Sequence, residues 1–176
     1  MGSPGVPGPG IGKAIESALG VLSGEQLRYI GRATDLVWLG IGRDVETVDR
    51  HGGIRLVAEH ALHLQCPWRL TRLGVPLVGS WDVHRSIGSN EFADGELLQG
   101  EAAFDPIAAE LTAEAGEEEQ HVNRLTGDDW GGLALEFTSG LMVDVLPVTT
   151  ASDECWRYMQ PGDDTEHFVV FETPEG

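Results

Sequence analysis

The sequence predicts a single α+β domain: a mainly antiparallel β-sheet with an N-terminal helix and one central helix. Three observations carry this. Short apolar segments of strand length, separated by turn residues, fill most of the chain. Helical spacing of apolar residues occurs in two places only. Strands joined by short turns rather than by helices build antiparallel, not parallel, sheets. With 176 residues, 41% hydrophobic and 23% charged, the chain has single-domain size and the apolar content for one core.

The elements follow in order. Residues 1–10 are rich in Gly and Pro and read as a flexible tail, leaving 11–176 as the domain. Ile11, Ile15, Ala18 and Leu22 recur at helical spacing, so residues 11–22 form an amphipathic helix that ends at Ser23-Gly24. Between Arg32 and Arg43 the run Leu36-Val37-Trp38-Leu39-Gly40-Ile41 is apolar on both parities, which predicts one strand covered on both faces. Asp49 to Gly53 is a turn, and a long strand runs from Ile54 to Cys66, where Pro67 stops it. Leu70 to Val78 is a hairpin turning at Leu73-Gly74, and residues 86–100 are a polar loop. Asp105-Pro106 has the form of an N-cap acid followed by proline at the first helical position. Phe104, Ile107, Ala108, Leu111 and Ala115 supply the apolar stripe of the central helix, which ends at Gly116. Strands then follow at about 120–126, 132–138, 141–147 and 154–160, with a last one at 167–171.

No basic-then-apolar leader pattern opens the chain, and no apolar run approaches the ~20 residues of a membrane span. A cytoplasmic protein that engages no membrane is therefore expected. Cys66 and Cys155 are too few for a disulfide framework and lie in apolar, strand-like surroundings, so both are expected as buried free thiols.

The net charge of −18 is unevenly placed: residues 1–86 carry +1, residues 87–130 carry −11 and residues 131–176 carry −8. A field of this sign repels nucleic-acid phosphates and favours partners with a basic surface.

Most apparent catalytic motifs fail on geometry. In an extended chain, Ser80, Asp82 and His84 would stand about 6.6 Å apart on one face, too far for the successive hydrogen bonds of a triad. His60, His63 and Cys66 have metal-ligand spacing for a helix, but period 2 puts His63 on the opposite side from the other two. There is no phosphate loop, dinucleotide fingerprint or calcium loop, so no metal and no cofactor is expected.

A more informative feature is an echo: Gln65-Cys66-Pro67-Trp68-Arg69 recurs in shortened form as Glu154-Cys155-Trp156-Arg157. Arginine beside tryptophan suits either a cation–π contact or a clamp onto a carboxylate. His63, Gln65, Arg69, Trp81, Asp82, Trp156 and Arg157 are the candidate binding residues, with none assigned a catalytic role. Arg157 is expected as a buried clamp whose loss costs about 3–5 kcal/mol.

The stretch Ala61-Leu62-His63-Leu64-Gln65-Cys66-Pro67-Trp68-Arg69 resembles a group of small, largely uncharacterised bacterial proteins. There a Leu-His-x-Gln-Cys-x-Trp-Arg segment follows an Arg-Ala-x-Asp-Leu-x-Trp-Leu pattern, matched here at Arg32 to Leu39. The likeness continues through Val78-Gly79-Ser80-Trp81-Asp82 and resumes at Glu154-Cys155-Trp156-Arg157. Some similar small acidic bacterial proteins are immunity partners of toxins, so the resemblance implies by analogy an immunity-type protein.

The leading expectation is a non-enzymatic, acidic protein-binding module that neutralises a basic partner and binds no nucleic acid. One alternative is a small-molecule-binding protein or enzyme using His63, Arg69 and Arg157. The other is a structural or oligomerising domain that buries the Trp-Arg elements at a symmetric interface, so homo-oligomer formation stays open.

Overall fold

The computed structural model describes residues 9–118, 120–148, 153–163 and 165–171. It has two helices and ten strands, arranged as two five-stranded antiparallel sheets. Helix α1 (Ile11–Leu19) runs into a short 3-10 turn, Gly20–Leu22. The strands are β1 (Leu27–Ala33), β2 (Leu36–Val48), β3 (Ile54–Leu64), β4 (Trp68–Arg72) and β5 (Val75–Gly79). After α2 (Phe104–Glu117) come β6 (Val122–Gly127), β7 (Leu133–Phe137), β8 (Leu141–Val145), β9 (Glu154–Met159) and β10 (Phe168–Phe171). The first sheet has the order β1-β2-β3-β9-β10 and the second β5-β4-β8-β7-β6. The chain passes from one to the other at Cys66-Pro67. Most of the expected tail, residues 1–8, lies outside the described residues.

Period 2 decides which residues meet in the core. Leu62 and Leu64 on β3, Leu39 and Ile41 on β2, and Trp156 on β9 point inward from the first sheet. From the second sheet come Leu70, Leu135, Val143 and Val145. Both sheets and the apolar faces of both helices contribute to one continuous buried cluster.

Three expectations need correction. The segment 32–43 is not one strand but the end of β1, a tight turn at Thr34-Asp35 and the start of β2, paired Ala33 to Leu36. Thr34 takes φ 55°, a left-handed conformation usually given to Asn or Gly in such hairpins, so the residue type concealed the turn. Asp105 does not cap α2: Ala103 is the N-cap, and the Asp105 side chain turns to β1 instead. Cys66 and Cys155 are bonded to each other, with Cα atoms 4.7 Å apart. The partner strands explain it. Leu64 faces Trp156 in register, and Gln65 and Cys66 both donate their N–H to the Cys155 carbonyl at 2.9 Å. The echo thus consists of two neighbouring segments joined by their cysteines.

Candidate binding groove around Trp81

The site is built on a one-turn 3-10 helix, Ser80–His84, that follows β5. Val83 is buried and ties this turn to the core, which leaves Trp81 directed outward with 66% of its surface exposed. Asp82 accepts from the Gly79 N–H at 2.8 Å and pairs with Arg85, whose guanidinium also donates to the Ser89 carbonyl. Both Asp82 contacts fix the turn, and neither is to the His84 ring.

The loop 86–103 is held against this turn by backbone hydrogen bonds from Ala93 to His84 and from Ala103 to Arg85. They place Phe92, 59% exposed, beside Trp81 with ring centroids 5.6 Å apart, while His84 lies 6.1 Å from the Trp81 ring. The loop carries Glu91, Asp94, Glu96 and Glu101 and no basic residue. An exposed aromatic pair thus joins the 3-10 turn to an acidic loop.

Next to Trp81 is a groove of about 190 Å³, floored by Cys66, Pro67, Trp68 and Val83. Its polar lining is Asp35 from the β1–β2 turn, Gln65 from the end of β3, and Ser80 and His84 from the 3-10 turn. Neighbouring charges are paired: Thr34 donates to Glu96, Arg85 holds Asp82, and Arg32 is fully engaged. Asp35, Gln65, Ser80 and His84 make no side-chain hydrogen bond or ion pair with any described residue.

The fixed frame behind the groove is a buried ion pair. Arg32 donates Nε to Asp105 Oδ1 at 2.6 Å and Nη2 to Oδ2 at 2.9 Å, with the two side chains 2% and 6% exposed. The remaining guanidinium hydrogens reach the carbonyls of Thr34, Leu97 and Leu98. Asp105 also accepts from the N–H groups of Gly100 and Ala102. Burial alone would push the Asp105 carboxyl up, but Arg32 and those two N–H groups together hold it below its ordinary value.

The expected site residues are divided among four places. Gln65 and Trp81 meet at the groove. His63 and Arg157 lie on the outer face of the first sheet, directly paired in register, with Trp38 on the other side of His63. Burial, and then the Arg157 charge, push the His63 imidazole below its ordinary value, against an opposing pull from Glu154. Arg69 lies on the second sheet, where it donates to Asp144 at 2.9 Å. The set His63, Arg69 and Arg157 therefore does not converge. Trp156 is wholly buried, with its indole N–H donating to the Gly131 carbonyl at 2.8 Å, and Trp68 is buried against Phe104. Neither tryptophan is available for a symmetric interface.

Arg157 departs from the buried clamp that the sequence suggested. Its side chain is 31% exposed and pairs with Glu154 of its own strand. The reason is a bulge: Val170 faces Trp156 but Phe171 faces Glu154, so Cys155 is an extra residue that turns inward to the disulfide. Glu154 is thereby brought to the same face as Arg157. The buried clamp belongs to Arg32. The signal for the groove was present in Asp35, Ser80 and His84, but their convergence depends on turns that the sequence pattern does not announce.

Among the described residues no helix is long and apolar enough to cross a membrane, and no group of three or more His, Cys, Asp or Glu could hold a metal ion. No family model, curated protein or solved structure matches the chain.

Proposed function

We propose that this chain is a non-enzymatic protein-binding module whose Trp81–Phe92 face holds a partner with a basic surface. The supporting observation is the exposed pair of Trp81, on the 3-10 turn, and Phe92, on a loop that carries four acids and no base. Binding energy at protein interfaces concentrates in a few aromatic anchors, while charge around them accelerates encounter. An immunity-type protein that neutralises a basic toxin is the specific form of this reading. The disulfide suits oxidising surroundings better than the cytoplasm expected from the sequence, and the reading does not depend on the compartment.

A photoreactive phenylalanine analogue at position 92 tests it in the native host. A protein adduct is expected from position 92, lost in Trp81→Ala and absent when the probe replaces Leu73, an exposed residue of the β4–β5 turn. Equal labelling from both positions, or none from position 92, overturns the reading.

Self-association has its own support. The β2–β3 ribbon extends past the pairings of β1 and β9, and Val48, Ile54 and Leu56 on it are all exposed. Sedimentation of the wild type against Ile54→Lys/Leu56→Lys distinguishes this second reading: a dimer abolished by the charges supports it, and a monomer throughout removes it.

A further inference from the structure

We propose that the groove beside Trp81 is a subsite for one arginine side chain of the partner. The inference rests on the protein-binding reading and names the chemistry of its anchor. Four polar side chains from three segments, Asp35, Gln65, Ser80 and His84, converge on one concavity without a partner among the described residues. Polar groups gathered in a concave site and not engaged by the fold are available to orient a ligand there.

Charge selects the ligand. Asp35 is the only Asp, Glu, Lys or Arg in the lining, and the adjoining loop carries four acids. The occupant is thus a cation. Size selects a side chain: about 190 Å³ lies below the ~300–1,000 Å³ of sites for drug-sized molecules.

Shape selects guanidinium over ammonium. The Trp81 indole forms one wall, and a flat cation stacks on an aromatic face as a compact ammonium does not. The planar fork can place two N–H groups on the Asp35 carboxylate, leaving its other donors for the Gln65 side-chain carbonyl and the Ser80 hydroxyl. Phe92 packs against the same Trp81 ring from outside the groove lining.

The full chain is titrated with N-acetyl-arginine methylamide and with its lysine and citrulline counterparts. The NMR signal of the Trp81 indole N–H, identified by its loss in Trp81→Phe, is the readout. The arginine compound is expected to move that signal saturably. The lysine compound is expected to bind at least fivefold more weakly, and the uncharged citrulline compound at least tenfold more weakly. Asp35→Asn, which suits the same hairpin turn, is expected to weaken arginine binding at least tenfold with an unchanged melting midpoint. No shift with arginine, equal shifts from arginine and citrulline, or undiminished binding by a folded Asp35→Asn each overturns the proposal. Lysine binding as tight as arginine overturns the guanidinium assignment. A negative titration alongside a positive crosslink at position 92 leaves the protein-binding reading standing with a different anchor, so the two can fail separately.

Discussion

Arg32 and Asp35 stand three residues apart in one hairpin and are in opposite states. Every N–H of the Arg32 guanidinium meets a carboxylate or carbonyl oxygen, within a side chain closed to solvent. The Asp35 carboxylate, exposed at the lip of the groove, meets no partner among the described residues. The first arrangement ties β1, the loop 97–100 and the start of α2 into one frame. The second leaves a charge at the edge of that frame. Arg32 uses its whole hydrogen-bonding capacity within the fold, whereas the Asp35 side chain uses none of its own on the described residues.

Substitutions can break this comparison, and the largest effect belongs to the covalent floor of the groove. The Cys66–Cys155 bond closes a loop across a sequence separation of 89. Chain entropy for a loop of that length gives about 4–5 kcal/mol. Cys66→Ala/Cys155→Ala is expected to lose stability of that order in denaturant melts under non-reducing conditions. Thiol titration of the denatured, unreduced wild type is expected to find no free thiol, and two would refute the bridge.

The buried pair comes next. Arg32→Met leaves the Asp105 carboxylate buried with only backbone donors and is expected to cost about 3–5 kcal/mol. Acid titration sharpens the assignment. The folded-state Asp105 pKa lies below its ordinary value, 3.8. Below about pH 4 the unfolded chain therefore binds a proton that the folded one resists, and stability rises with pH through that interval. The contribution is fully present above the ordinary carboxylate pKa and is lost as pH falls through the folded value. Asp105→Asn is expected to be less stable at pH 7 and to show a flatter dependence as pH falls below about 4. An unchanged slope would show that other carboxylates govern the acid limb.

How far the sequence carried these distinctions depends on the range of the contacts. Apolar periodicity placed α1, α2 and the strands from β3 onward, because a face buried against a core writes its own period into the chain. The β1–β2 turn escaped, since Thr34-Asp35 lacks the Asn-Gly or Asp-Gly signature. The echo around the two cysteines was visible as text. Its meaning, a disulfide between adjoining segments and a bulge at Cys155, required strand pairing across 89 positions. The same limit misassigned the buried clamp: Arg157 has a nearby carboxylate in sequence, whereas Arg32 finds Asp105 from 73 residues away.

Arg157 accordingly occupies the middle of the scale. Its pair with Glu154 is local and partly solvated, and such pairs contribute little. Arg157→Met is expected to cost no more than about 1 kcal/mol, well short of the 3–5 kcal/mol for a buried clamp. A loss as large as that of Arg32→Met would mean that the outer face of the first sheet is covered in the native protein.

The smallest expected effect on stability is at the groove, and there smallness is the informative outcome. Trp81 is mostly exposed and touches Phe92 and His84 rather than the core. Surface substitutions away from caps and buried networks usually shift stability by less than about 0.5 kcal/mol. Trp81→Ala and Asp35→Asn are each expected within that range in denaturant melts at pH 7. A loss above about 1 kcal/mol for Trp81→Ala would show that the aromatic pair props the loop 86–103 in place, making it a scaffold device. A near-wild-type midpoint, measured on the same preparation that loses the position 92 adduct, would separate binding from folding at a single residue. That separation is what the contrast between Arg32 and Asp35 requires. Among the described residues, an exposed tryptophan and a carboxylate without a hydrogen-bond partner stand beside the fully engaged Arg32–Asp105 frame.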